Sequence, residues 1–213
     1  MDIRVAILGP TGYTGLHLIQ LLAGHPDAQI TYLASRREQL PDITQVFPQL
    51  LGRIDPEVAQ CGPMDPQAIA AEADVAFLAM PHHAAMRYVP QLLDAGLRVI
   101  DLSADYRLAD PALYERVYEH PHGDTDNLAD AVYGLPELFR RKLPGAALVA
   151  NPGCYPTAAA LGVAPLLEGS LVEPQSIIIN AASGVTGAGK NPAAHLHFAE
   201  QNESFLAYGR IGG

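Results

Sequence analysis

The sequence predicts an α/β fold: a doubly wound parallel sheet followed by the start of a second α+β domain. Three observations carry this. Short apolar runs alternate with segments of helical spacing along most of the chain. The runs lack polar alternation, as expected for parallel strands buried on both faces by helices. Hydrophobic residues make up 49% of the 213 residues and charged residues only 17%, which supports a sizeable core and excludes disorder.

The elements follow in order. "RVAILG" (4–9) reads as a first strand ending in glycine. "TGLHLIQLLAG" (14–24) has apolar residues at 16, 19 and 22, with 18 and 21 beside them; this is helical spacing, stopped by Gly24 and Pro26. "QITYLAS" (29–35), "DVAFLAM" (74–80) and "RVIDLS" (98–103) read as further strands. Between the last two, "HHAAMRYVPQLLDAG" (82–96) reads as a helix ending at Gly96. "AALVAN" (146–151) and "SIIINAA" (176–182) complete the strands. The chain changes character near residues 145–153, which predicts one domain over 1–150 and a second, incomplete one over 151–213.

Charge narrows the function classes. The formal net charge is −10, from 13 basic and 23 acidic side chains, and no Lys/Arg run occurs, so no nucleic-acid partner is expected. A small anionic substrate would need local positive sites, which makes the few arginines informative. No apolar stretch reaches the roughly 18 residues of a membrane span. The start "MDIRVAILGP" lacks the apolar core and basic flank of a secretory signal. Cys61 and Cys154 have no metal-type spacing, so no metal and no disulfide are expected, and the chain reads as cytoplasmic.

"GPTGYTG" places Gly9, Gly12 and Gly15 between the first strand and the first helix. Glycines there permit a tight turn and a close backbone approach, and the helix start offers free N–H groups to a pyrophosphate. This is a Rossmann-like arrangement, and Gly9, Thr11, Gly12, Tyr13, Thr14 and Gly15 are its candidate cofactor residues. At the end of the second strand an NAD enzyme carries an acidic residue for the ribose 2′-hydroxyl. Here the sequence reads "ASRREQ", and Ser35, Arg36 and Arg37 suit a 2′-phosphate, so NADP is favoured; a solvated basic turn is the other reading.

"NPGCYPTA" places Cys154 after an Asn-Pro-Gly turn and ahead of an alanine-rich helix, with Pro156 in its first turn. Unpaired amides at a helix start favour an anionic sulfur and an oxyanion formed beside it. The setting fits a nucleophile; an inert buried cysteine is the alternative. Cys61, in "AQCGPMDP", has no such setting and reads as structural.

Taken together, "GPTGYTG", "DLSADYR", "YGLPEL", "NPGCYPTA" and "ASGVTGAGK" resemble the N-acetyl-gamma-glutamyl-phosphate reductases, relatives of aspartate-semialdehyde dehydrogenase, over essentially the whole chain. The resemblance implies NADPH-dependent reduction of N-acetyl-glutamyl 5-phosphate to the 5-semialdehyde through a thioester on Cys154, in arginine biosynthesis. It assigns Arg107 to the substrate phosphate, with a salt bridge to Asp105 or another local carboxylate as the alternative. It assigns Ser183, Gly184, Gly187 and Gly189 to a second loop over the cofactor, with a structural turn as the alternative; Lys190 adds charge there or is solvated. His82, His83, His120, His122, His195 and His197 form no metal set and default to surface or core roles.

The family pattern continues beyond the segment matching "AYGRIGG" with a histidine-rich motif, and this sequence stops at Gly213 ahead of it. That implies a fragment with reduced turnover. A catalytically silent NADP-binding module, and reductases of aminoadipyl or aspartyl phosphate, remain the alternatives. A homo-oligomer is expected, because low charge and an unfinished second domain leave apolar surface to cover.

Overall fold

The computed structural model describes residues 2–203. One compact unit runs to Ile179 and a second begins at Asn180. The "AYGRIGG" segment lies outside the described residues.

The first unit is built on six strands: β1 (Ile3–Leu8), β2 (Ala28–Ala34), β3 (Val75–Leu78), β4 (Arg98–Asp101), β5 (Val132–Tyr133) and β6 (Leu148–Ala150). Their order across the sheet is β2-β1-β3-β4-β6-β5, and every pairing is parallel. Helices fill the crossovers: α1 (Tyr13–Leu22), α2 (Ile43–Val46), α3 (Pro56–Ala59), α4 (Pro66–Glu72) and α5 (Val89–Asp94). After β4 come α6 (Pro111–Tyr118), α7 (Thr125–Leu128) and α8 (Pro136–Phe139), and α9 (Cys154–Glu168) follows β6.

The period of two along β1 explains the double winding. Val5 and Ile7 point into one buried cluster with Leu16, Ile19, Ile30 and Leu50. Ala6 and Leu8 point into the other, with Ile69, Leu78, Leu92, Val99 and Tyr114. Each fully buried aliphatic side chain contributes about 1.5–3 kcal/mol relative to exposure. Asp42, Asp55, Asp65 and Asp110 each accept a backbone N–H at the start of a helix, so these short helices begin where a carboxylate can cap them.

The predicted α/β sheet is therefore present, with local differences. The segment 82–96 is not one helix: a 3₁₀ turn spans Ala85–Arg87, and α5 begins only at Val89 with Pro90 in its first turn. Proline lacks an N–H and fits the first turn of a helix better than its interior, which accounts for α5 starting beside Pro90. Gly96, at φ +87°, ends the segment as expected. The two-residue β5 is too short to leave a periodic signal, and the sequence pattern missed it.

The strand predicted at 176–182 does not form. Ile178 is 85% exposed and Ile179 57% exposed. Among the described residues no neighbouring strand runs beside this segment, so its N–H and C=O groups have no ladder to join. The second unit, taken by itself, holds short 3₁₀ turns at Val185–Ala188 and Ala194–Leu196 and one turn of helix, α10 (Phe198–Gln201).

Candidate active site

The three glycines of the first loop do three different things. Gly9 sits at φ +82°, and a Cβ there would stand 2.5 Å from the Ala79 carbonyl oxygen at the end of β3. A Cβ on Gly15 would stand 2.6 Å from Pro10, so only glycine lets α1 close onto the turn. A Cβ on Gly12 would meet nothing within 4 Å. Gly12 caps α1 with no side-chain hydrogen bond. The open space over Gly12 and the uncapped helix start form a cradle that fits a pyrophosphate. Thr11 lies in the turn, and Tyr13 and Thr14 are the exposed first residues of α1. The loop also lies where β1 is flanked by β2 on one side and β3 on the other, the switch point of the sheet.

At the end of β2, Ser35 is buried and its Oγ accepts the Arg37 N–H at 3.3 Å. Arg36 and Arg37 are exposed. Together with Met64 and Tyr88 these residues line an open depression of about 380 Å³.

Cys154 is the first residue of α9, and its thiol is exposed. Gly153 caps the helix without a side-chain bond, and its carbonyl accepts the Thr157 N–H and hydroxyl at 3.0 and 2.8 Å. Cys61 is the opposite case: it is 2% exposed in the core beside β2, and burial pushes its thiol up to about 11.

Arg107 lies beneath the cysteine turn. Its Nε donates to the Asn151 carbonyl at 2.8 Å and its Nη2 to the Leu102 carbonyl at 2.9 Å. A Cβ on Gly153 would stand 3.1 Å from Nη1. Among the described residues no salt bridge joins Arg107 to Asp105. The structure thus brings Arg107 against Asn151 and Gly153, the turn that leads into Cys154. Ser183, Gly184, Gly187 and Gly189 lie in the second unit, where the Ser183 hydroxyl occupies the space above Gly187 and Gly189 sits at φ +84°.

The sequence reading missed the polar network that holds "DLSADYR". Asp101 accepts the Ser103 N–H at 2.9 Å and hydroxyl at 2.7 Å, and the Ser103 Oγ accepts the Asp105 N–H at 3.1 Å. Asp105 Oδ1 accepts the His83 N–H at 2.8 Å and the Tyr114 hydroxyl at 3.2 Å, and Oδ2 accepts the Met86 N–H at 3.3 Å. The Ala104 N–H donates to His82 Nδ1 at 3.0 Å, and the Tyr106 hydroxyl donates to Asp124 at 2.6 Å. Burial first, then the Arg107 charge, holds the His82 imidazole below its usual range. Burial pushes the Asp101 carboxyl up to about 6, against the opposing bonds from Ser103. The available signal was the density of polar residues immediately after an apolar strand. His83 stacks on His120, with ring centroids 4.2 Å apart, and His122 bonds the Asp105 carbonyl at 2.7 Å. Among the described residues no cluster of three or more His, Cys, Asp or Glu could hold a metal ion, and no helix is long and apolar enough to cross a membrane.

Residues 4–146 match the semialdehyde dehydrogenase NAD binding domain, and residues 154–212 match the semialdehyde dehydrogenase dimerisation domain. Two curated relatives, both named N-acetyl-gamma-glutamyl-phosphate reductase, come from Citrifermentans bemidjiense (46% identical over 211 residues) and Nitrosococcus oceani (49% over 210). Each alignment takes in 99% of this chain and 60% of the relative, so the chain spans about 60% of the length of the curated relatives it matches. Among solved structures, an aspartate semialdehyde dehydrogenase with NADP from Candida albicans is 17% identical, with a TM-score of 0.56, over 79% of this chain and 48% of that one. That likeness carries the fold. The match over 4–146, with the glycine turn at the switch point inside it, makes the chain a member of the semialdehyde dehydrogenase family.

Proposed function

We propose that this chain belongs to an NADPH-dependent acyl-phosphate reductase acting on N-acetyl-glutamyl 5-phosphate. One observation carries the reading: Cys154 is exposed at the start of α9, and the residue before it, Gly153, lies against the Arg107 guanidinium. The names of the curated relatives supply the substrate class.

Cys154 Sγ attacks the acyl carbon and the carbonyl π electrons move onto oxygen. That oxyanion lies beside the backbone at the N-terminal end of α9, where the helix dipole favours negative charge. As the carbonyl reforms, the C–O bond to phosphate breaks and inorganic phosphate leaves, with Arg107 facing its charge. The acyl group remains on Cys154 as a thioester. Bound NADPH supplies a hydride. The cradle over Gly12 would hold its pyrophosphate, and Ser35, Arg36 and Arg37 its 2′-phosphate. Ser183, Gly184, Gly187 and Gly189 are proposed as a second cofactor loop. The division into a cofactor domain over 1–150 and a catalytic domain from 151 is part of the same proposal. So are assembly as a homo-oligomer, supported by the dimerisation-domain match, and a cytoplasmic location.

The test is cysteine mapping coupled to turnover. Iodoacetamide should label Cys154 much faster than the buried Cys61, and the acyl phosphate should slow that labelling. In the full-length protein, Cys154→Ser should abolish NADPH oxidation by N-acetyl-glutamyl phosphate. Faster labelling at Cys61, or full turnover by the serine variant, would overturn the reading. Oxidation with only a carrier-bound aminoadipyl phosphate would move the substrate and keep the chemistry.

A further inference from the structure

We infer that Asp105 is the positioning residue that holds Arg107 under the cysteine turn, by tying the loop after β3 to the loop after β4. The inference rests on the proposal that Arg107 meets the substrate phosphate.

Asp105 is 0% exposed, and among the described residues it has no cationic partner in a salt bridge. A buried carboxylate without a cation is costly unless several donors converge on it. Three donors do, and all lie outside its own loop: the His83 and Met86 N–H groups after β3, and the Tyr114 hydroxyl on α6. The carboxylate is thus the point where three chain segments meet. His83 sits at φ +64°, a conformation that non-glycine residues adopt only when held. The Asp105 carboxylate is one of the groups holding it.

The tie reaches Arg107 through a short chain of bonds. The Asp105 N–H is fixed by Ser103, and Ser103 by Asp101. The Arg107 N–H donates to the Ala104 carbonyl at 3.3 Å, and Nη2 donates to Leu102 in the same loop. The Leu102 carbonyl and the backbone that carries Arg107 therefore keep their places only while this loop keeps its shape. Among the described residues no hydrogen bond of Asp105 reaches the cysteine turn. Its effect passes through Arg107.

The probe is inorganic phosphate, the leaving group of the proposed reaction, read by how far it slows iodoacetamide labelling of Cys154 in the full chain. Asp105→Asn should weaken phosphate protection about tenfold, because one backbone N–H is left facing an amide donor and the loop loses its register. NADPH affinity and the labelling rate without phosphate should stay within about twofold of the parent. A general loss of structure would move all three readings together. Arg107→Ala is the control: if it keeps full protection, the proposed role of Arg107 fails and the inference goes with it. If Arg107→Ala loses protection and Asp105→Asn keeps it, the inference alone is overturned. If Asp105→Asn does not fold, Tyr114→Phe decides, since it removes one of the three donors and keeps the ring. About threefold weaker protection supports the inference, and unchanged protection overturns it.

Discussion

Gly153 and Arg107 are in near contact: a single methyl group on Gly153 would stand 3.1 Å from Nη1 of the guanidinium. The guanidinium cannot swing away freely, because Nε and Nη2 are held by the carbonyls of Asn151 and Leu102. Gly153 itself has φ −72° and ψ 163°, which alanine adopts without strain. Gly153→Ala should therefore fold, with a stability change under about 1 kcal/mol in urea unfolding. It should nonetheless weaken phosphate protection of Cys154 several-fold by displacing Arg107.

The glycine loop should separate folding from binding. Gly9→Ala and Gly15→Ala place a methyl against backbone atoms of Ala79 and Pro10, and each should cost about 2–4 kcal/mol in urea unfolding. Gly12→Ala meets open space and should cost less than about 1 kcal/mol. Its methyl occupies the approach to the pyrophosphate, so calorimetric titration with NADPH should show the larger loss. A Gly12→Ala chain that binds NADPH normally would refute the cradle.

Arg36 and Arg37 should set cofactor choice. Replacing both by Ala should lower NADPH affinity by at least about tenfold, the worth of one lost charge-assisted bond, and leave NADH binding nearly unchanged. Equal losses for the two cofactors would assign the arginines to another role.

Asp101 gives a pH signature. Its carboxyl rises from 3.8 to about 6, mainly through burial, so the folded state holds the proton more tightly than the unfolded chain. The contribution to stability is full below pH 3.8 and falls away as pH rises through about 6. Asp101→Asn keeps the shape and cannot ionise. The difference in unfolding free energy between parent and variant should shift in favour of the variant across that window. A constant difference would mean that Asp101 ionises as easily folded as unfolded.

The sheet was legible because β1, β2, β3, β4 and β6 each carry a short apolar run that is largely buried. The position of Cys154 at the start of α9 was legible because a Pro-Gly turn before a helix can be read locally. The strand expected at 176–182 failed for the converse reason. Its residues are apolar and β-branched, but a strand is a pairing, and pairing depends on a partner that a local pattern does not contain. The Asp105 network was hidden for a similar reason. Its partners lie 19 and 22 positions before it and 9 after it, and no spacing rule links a carboxylate to backbone N–H groups at such distances. The contact between Arg107 and the cysteine turn spans 44 positions and came only from topology.

The two lateral margins of the sheet are blunted at specific places. On one side β5 offers only Val132 and Tyr133. On the other, the tip of β2 is already engaged: the Gly62 N–H donates to the Leu33 carbonyl at 2.8 Å, and the Ser35 N–H donates to the Gly62 carbonyl at 3.0 Å. A foreign strand docking at that end would have to displace Gly62, and at β5 it would find room for a single rung. A parallel sheet this apolar is prone to edge-to-edge aggregation while it folds. A two-residue edge at β5 and a β2 tip already paired with Gly62 leave such pairing less backbone to use at those places.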